Sequence, residues 1–420
     1  MLEKDSYKTT ALEKTMILPY TDEEGKTKVK ELFIKNFNTN PQEYYKAPGR
    51  INIIGEHVDY NSGICLPMAL QHCAFIAVKQ RKDTVVKIYS AQEKKLATFN
   101  INDISPNSNT DEIKGWVSYI AGVFWAFKQA GYENIQGCEI ALDSCVPYGA
   151  GLSSSAAIEC VVAIYIADKL NINLNDETKT QIANICVKAE NEIAGAPTGG
   201  LDQAASMRCE KNKVLSLDCL DFSAQLLSFP IEKNNMKMLI VDTQAPHKLV
   251  DGQYSRRRQI CEKIAQKLKV NSLRKCNIDD FEEYITKLDT DEEKKYLRHV
   301  LTEIERTKKF IEIIKEKNIY STSDKQKLGA LMTASHESLK NDYKVSCPEL
   351  DLAVDTMNKN GAWGARMTGG GFGGCAIGLI EEKDIKIQIE KILKAFAEKG
   401  YTTPKIMVAT ASSGAEKITK

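Results

Sequence analysis

The chain has 420 residues, 43% hydrophobic and 27% charged, enough material for two cores of ordinary size. Its 57 basic and 56 acidic residues leave a formal net charge of +1, so no global field draws it toward nucleic acid or an anionic membrane. The first residues lack the apolar core of a signal peptide, no apolar run approaches the ~20 residues of a bilayer span, and twelve scattered cysteines form no Cys-x-x-Cys pair, which speaks against a zinc or redox motif. A reducing cytoplasm is the expected location and a monomer the expected state.

The first informative segment is Ala47-Pro48-Gly49-Arg50-Ile51-Asn52-Ile53-Ile54-Gly55-Glu56-His57-Val58-Asp59-Tyr60-Asn61. Pro48-Gly49 reads as a turn and the apolar run over 51–54 as a short buried strand. That strand delivers Glu56, His57 and Asp59 to one place, a set suited to a polyhydroxylated ligand because carboxylates accept from hydroxyls and histidine both donates and accepts. Strands are predicted over 85–89 and 138–142, and a helix over 116–130 that opens on Trp116.

Next comes Val146-Pro147-Tyr148-Gly149-Ala150-Gly151-Leu152-Ser153-Ser154-Ser155-Ala156-Ala157, heading a helix over 153–170 that is apolar almost all round. Its N-terminal N–H groups therefore open into the interior or a cleft, where the helix dipole makes a phosphate seat. No Gly-Lys-Ser/Thr follows, so this is not a Walker A loop, and no third spaced glycine makes it a dinucleotide fingerprint. Simple capping by Ser153 is the competing reading. Downstream, Pro197, Gly199 and Gly200 break the helix carrying Glu190, and Asp202 before the helical 203–207 is either an N-cap or a chemical group. For Glu190 the residue alone reads as a solvated helix face.

A polar turn at 210–213 marks the expected division into units 1–213 and 214–420, and a buried strand over 239–242 opens the second. In the triplet Arg256-Arg257-Arg258 the side chains face different ways on a helix, which favours salt bridging for most of them. The segment 279–318 is rich in Glu, Lys and Leu and predicts peripheral amphipathic helices with solvated charged faces. Finally Arg366-Met367-Thr368-Gly369-Gly370-Gly371-Phe372-Gly373-Gly374-Cys375, ahead of a strand over 375–380, implies positive φ or very close backbone approach.

These strings carry a family resemblance. The first closely resembles the galactokinase signature, departing at Val58 where that family has Thr; the second and the late glycine cluster resemble the phosphate-binding and third motifs of the GHMP kinases, the galacto-, homoserine, mevalonate and phosphomevalonate kinases. The resemblance runs from about Arg50 to Gly374 and implies an α+β, two-domain GHMP-kinase fold with the active site in the inter-domain cleft. It implies ATP-dependent phosphorylation of galactose at its anomeric hydroxyl, with magnesium. Gly199-Gly200-Leu201-Asp202-Gln203 resembles the family's catalytic motif, with Leu for Met, which puts Asp202 in the base or orienting role and Arg50 beside it as the cation. Glu56, His57, Asp59, Gly199, Asp202 and Tyr254 match galactose-binding positions. Trp116 and the loop Gly149, Ala150, Gly151, Leu152, Ser153, Ser154 and Ser155 match the ATP site, and Ser155 with Glu190 the magnesium ligands, hard oxygen donors of the kind that ion prefers. Trp116 is equally readable as a core residue.

Two other readings compete. A kinase for N-acetylgalactosamine or arabinose is the nearer; Asn61-Ser62-Gly63 favours galactose, and the apolar Val58 weighs slightly the other way. A non-catalytic galactose sensor is the more distant, and the intact Ser153-Ser154-Ser155-Ala156-Ala157 run with Arg50 and Asp202 argues against it.

Overall fold

The computed structural model describes residues 14–106, 113–196, 198–246, 252–315 and 317–419, the Tyr254 side chain excepted. Pro197, named above, and residues 247–251, just ahead of Tyr254, lie outside them. Helix α1 (Asp22–Phe37) starts on a capping box between Thr21 and Glu24. Strand β1 (Glu43–Asn52) follows, then β2 (Ile64–Cys65), β3 (Pro67–Gln80), β4 (Val85–Ser90), β5 (Lys95–Asn100), α2 (Trp116–Gln129), β6 (Cys138–Ser144), α3 (Ser154–Lys169), α4 (Asp176–Ala189) and α5 (Leu201–Arg208). The rest runs β7 (Lys213–Asp218), β8 (Ala224–Ser228), β9 (Met236–Asp242), α6 (Gln253–Leu268), α7 (Asp291–Ile314), α8 (Thr322–Asn341), α9 (Pro348–Lys359), β10 (Gly364–Thr368), β11 (Cys375–Glu381), α10 (Ile385–Glu398), β12 (Lys405–Ala409) and β13 (Glu416–Lys417).

A six-stranded sheet, β13-β1-β3-β6-β4-β5, is antiparallel except where β4 lies parallel to β6. Helices α2, α3 and α4 bury their apolar residues in the same cluster as its strands; α3 is buried nearly all round, as its sequence predicts. A four-stranded antiparallel sheet, β10-β11-β9-β12, anchors the second cluster with α6 to α10, and β9 is buried at every position. A small sheet, β2-β7-β8, ties early strand to late, and β13 returns to pair with β1. No helix among the described residues is long and apolar enough to cross a membrane.

Two expectations change here. Pro48-Gly49 does not turn the chain; it lies inside β1, where the register with β3 shifts between Pro48 and Arg50. Pro48 has no N–H to give the ladder, so a bulge accommodates it without ending the strand. β1 then stops at Asn52, and Ile53 and Ile54, although fully buried, lie beyond it. Nor is all of 279–318 peripheral: the short helix Phe281–Ile285 buries no residue, but α7 buries His299, Glu303 and Thr307 completely. The charged face of α7 is solvated only in part.

Candidate active site

The bulge in β1 aims Arg50. Its backbone N–H leaves the sheet and donates to the Leu152 carbonyl at 3.0 Å, and Nη1 donates to the Gly151 carbonyl at 2.7 Å. Nε and Nη2 both donate to Asp202 Oδ1, at 2.9 and 2.6 Å. Ser153 Oγ donates to Asp202 Oδ2 at 2.5 Å. Neither capping reading survives this geometry: Ser153 makes no cap hydrogen bond, and the N-cap of α5 is Gly200, with Asp202 already inside the helix. Burial works against the Arg50 charge, but Asp202 and Glu56 more than offset it and hold the guanidinium above its ordinary range.

The loop ahead of α3 turns through positive φ at Gly149, Gly151 and Ser153. Ala150 and Leu152 bury their side chains in the core and pin the loop from beneath. With no side-chain cap on α3, its first-turn N–H groups remain for another acceptor, and the dipole favours an anion there. The late glycine cluster lies against this loop backbone to backbone. A Cβ at Gly369, where φ is +82°, would stand 2.9 Å from the Gly151 carbonyl oxygen, and one at Gly374 3.0 Å from that of Ala150. Those glycines permit the close approach that their sequence implies.

Glu190 is not on a solvated face. It opens a π turn (Glu190–Ala194) directly after α4 and is 7% exposed. Such turns concentrate at functional sites. Burial first, then the Asp202 charge, raises its carboxyl to about 7, against hydrogen bonds from Gln203 and Ser155. Gln203 Nε2 donates to Glu190 Oε2 at 2.5 Å and to the buried Glu159 Oε2 at 2.9 Å. A buried carboxylate that Arg50 offsets only weakly, beside a serine hydroxyl, is a donor set that fits a small hard divalent ion.

The loop after β1 forms the facing wall. Glu56 Oε2 receives Arg366 Nη2 at 2.9 Å and Oε1 receives Asn52 Nδ2 at 3.4 Å. Burial still lifts the Glu56 carboxyl above its usual range, Arg366 and Arg50 opposing. His57 lies 3.2 Å from the Gly370 carbonyl through Nε2 and 3.1 Å from the Tyr60 hydroxyl through Nδ1. A carbonyl only accepts, so Nε2 carries the proton and Nδ1 accepts. Burial, with His299 and Arg257 nearby, takes the His57 pKa down to about 3, so the ring is neutral at ordinary pH. The Asp59 carboxylate abuts the Gly199 backbone, so two of the predicted residues meet there.

Between these walls lies a cavity of about 210 Å³, lined by Arg50, Glu56, His57, Asp59, Glu190 and Asp202 together with Asn52, Cys65, Thr198, Gly369 and Gly370. Its scale suits a single polar ring, below the ~300–1,000 Å³ of drug-sized sites. Val58 is wholly buried in the second core cluster and does not line it. Trp116 opens α2, half-buried against the first cluster and away from the cavity; one turn on, Tyr119 lies near Glu190 and Tyr148. Tyr254 is in the first turn of α6, its side chain outside the described residues. Arg256 and Arg258 pair with Glu292 and Glu262, while Arg257 is buried and donates to the carbonyls of Tyr343 and Lys344. Among the residues that sequence reasoning misses, Asn52 and Arg366 sit inside quoted motifs, where a polar residue flanked by apolar ones is the only signal.

Residues 118–210 match the GHMP kinases N terminal domain and 311–399 the GHMP kinases C terminal. A mevalonate kinase from Methanococcus jannaschii shares the fold, at TM-score 0.60 and 23% identity over 89% of this chain and 99% of that one. The chain is thus built as a GHMP kinase. Residues 31–80 match the Galactokinase galactose-binding signature. A galactokinase from Streptomyces coelicolor is 39% identical over 392 residues, 93% of this chain and 98% of the relative. The structure of Lactococcus lactis galactokinase complexed with galactose superposes at TM-score 0.85, with 29% identity over 93% of this chain and 99% of that one. The chain belongs to the galactokinase family.

Proposed function

We propose that the protein transfers the γ-phosphoryl group of ATP to the anomeric O1 hydroxyl of galactose, giving galactose 1-phosphate and ADP. The observation that carries this reading is the Arg50–Asp202–Ser153 cluster, set where the serine-headed helix meets the acidic cavity. The transfer is direct and in line, with no phosphoenzyme. Glu56, His57 and Asp59 read the sugar hydroxyls, with Tyr254 and the Gly199 backbone completing the pocket. Asp202 orients O1 and receives its proton as the bond to phosphorus forms. Two of the three donors that fix this carboxylate come from Arg50, so its orientation is set before substrate arrives. Arg50 also stabilises charge on the transferring group. The loop from Gly149 to Ser155 and the first turn of α3 hold the phosphates by N–H donation, and Trp116 lies on the nucleotide side.

Ser155 and Glu190 are the residues that would hold magnesium, which when bound neutralises phosphate charge. Gln203 keeps the Glu190 carboxylate in place from behind and is itself held by Glu159.

The test is ADP release in a coupled assay across galactose, N-acetylgalactosamine, arabinose and glucose. Galactose-dependent release well above the other sugars is expected. Turnover of another sugar with galactose at background would overturn the substrate, and no turnover of any sugar despite galactose binding would favour a sensor.

A further inference from the structure

Glu56 is flanked by two backbone positions in the left-handed region, Gly55 at φ +93° and His57 at φ +59°. A non-glycine residue there persists only where its surroundings hold it. The holding groups come from α7, on the far side of the loop from the cavity. Glu303 Oε1 accepts the N–H of Gly55 at 3.0 Å and of Glu56 at 3.3 Å. One turn earlier, His299 Nε2 lies 3.1 Å from the Glu56 carbonyl oxygen, while its Nδ1 faces Ser338 Oγ at 2.9 Å. The carbonyl accepts, so His299 donates through Nε2. Both ends of the Glu56 backbone are thus gripped by side chains at i and i+4 of one helix.

The clamp is itself fixed. Ser335 Oγ donates to Glu303 Oε1 at 2.6 Å and Arg306 Nε to Oε2 at 2.8 Å. His299 and Glu303 are fully buried, and Gly55 lies so close to α7 that a Cβ there would come 3.1 Å from Thr307 Oγ1. Neither residue lines the cavity. We propose that His299 and Glu303 are positioning residues for sugar binding, which set the affinity for galactose by fixing the Glu56 backbone and through it the aim of Glu56 and His57. This rests on the galactose reading above. Any group touching only phosphate loop or nucleotide would move ATP affinity instead, so the two substrates report separately.

The experiment compares wild type, His299→Leu, His299→Gln and Glu303→Gln by galactose calorimetry and by KM for both substrates. His299→Leu removes the donor to Glu56, and the unpaired carbonyl should weaken galactose Kd and raise its KM by about tenfold. KM for Mg-ATP should stay within about twofold, since the hydrogen bonds of His299 and Glu303 go to the loop after β1 and to α7 and α8, not to the loop ahead of α3. His299→Gln restores an N–H donor and should recover most of the affinity. Should His299→Leu fail to fold, Glu303→Gln decides on the same outcomes. Unmoved galactose affinity in a folded variant, or parallel loss for both substrates, overturns this inference while leaving the galactose reading intact. A wild-type protein that binds no galactose overturns both.

Discussion

Replacing Asp202 by Asn tests the chemical core most directly, because it keeps the shape and removes the charge and the proton acceptor. Asp202 Oδ1 takes two donors from Arg50 and Oδ2 one from Ser153. Two unit charges about 4 Å apart at an effective dielectric near 20 interact by roughly 4 kcal/mol. Arg50 keeps the Gly151 carbonyl and the nearby Glu56 charge, and Asp202 is 23% exposed, so the fold should lose less, about 1–3 kcal/mol. Turnover should fall much further, since general-base assistance is worth ~10²–10⁴-fold, about 3–5 kcal/mol of barrier. Arg50→Ala should slow transfer too, and the double variant should lose less than the product of the single effects, because residues acting as one unit are not additive. The assay is single-turnover phosphoryl transfer by rapid quench in the three variants, with thermal unfolding and galactose calorimetry run alongside. Near-normal transfer by a folded Asp202→Asn protein would refute the assignment and leave Asp202 as a partner for Arg50 only.

Four further outcomes follow from the same structure. Ser155→Ala and Glu190→Gln should each raise the magnesium concentration needed for half-maximal activity while thermal stability without metal is kept or improved, measured by metal titration and calorimetric melting; an unchanged requirement would remove both from the ion. Asp59→Ala should weaken galactose binding by ~5–100-fold in calorimetry while ATP still binds, the cost of an unpaired polar group in the pocket. Gly369→Val forces a side chain into positive φ and against the Gly151 carbonyl, so KM for ATP should rise severalfold, with wild-type values refuting the contact. Burial opposes the Glu303 charge, but Arg306 and Arg366 more than offset it and bring its pKa down to about 2, below the unfolded value near 4.5. The folded state thus binds this proton more weakly, and Glu303 contributes stability above about pH 4.5 that is lost as pH falls toward 2, on the order of 3 kcal/mol. Denaturant unfolding of Glu303→Gln from pH 7 to pH 3 should show a shallower acid loss than wild type.

What the sequence discloses, and what it hides, divides by distance along the chain. The glycine loop ahead of α3 is legible because its requirements are local: positive φ at Gly149 and Gly151 and a serine-headed helix buried nearly all round are consequences of neighbouring residues alone. The strands at β4, β6, β9 and β11 and the helices α2 and α3 match their predicted spans to within a few residues for the same reason. The Asp202–Arg50 contact spans 152 residues, and only the family resemblance puts the two together. Without it Asp202 reads first as a cap. Pro48-Gly49 misleads because a turn and a bulge ask for the same residues, and the partner strand β3 decides between them. The α7 clamp is hidden most completely. His299 and Glu303 sit on a helix whose Glu292, Glu305 and Lys308 are solvent-facing charges of the same kind, and periodicity assigns all of them to a charged face. What buries Glu303 is a pair of N–H groups 248 and 247 positions away, bent outward by backbone angles that no composition reveals. A buried acid on an amphipathic helix therefore becomes visible only when the chain it serves is seen beside it. The helix that looks peripheral in sequence backs the loop after β1, which is why His299 and Glu303 are buried against that loop rather than solvated.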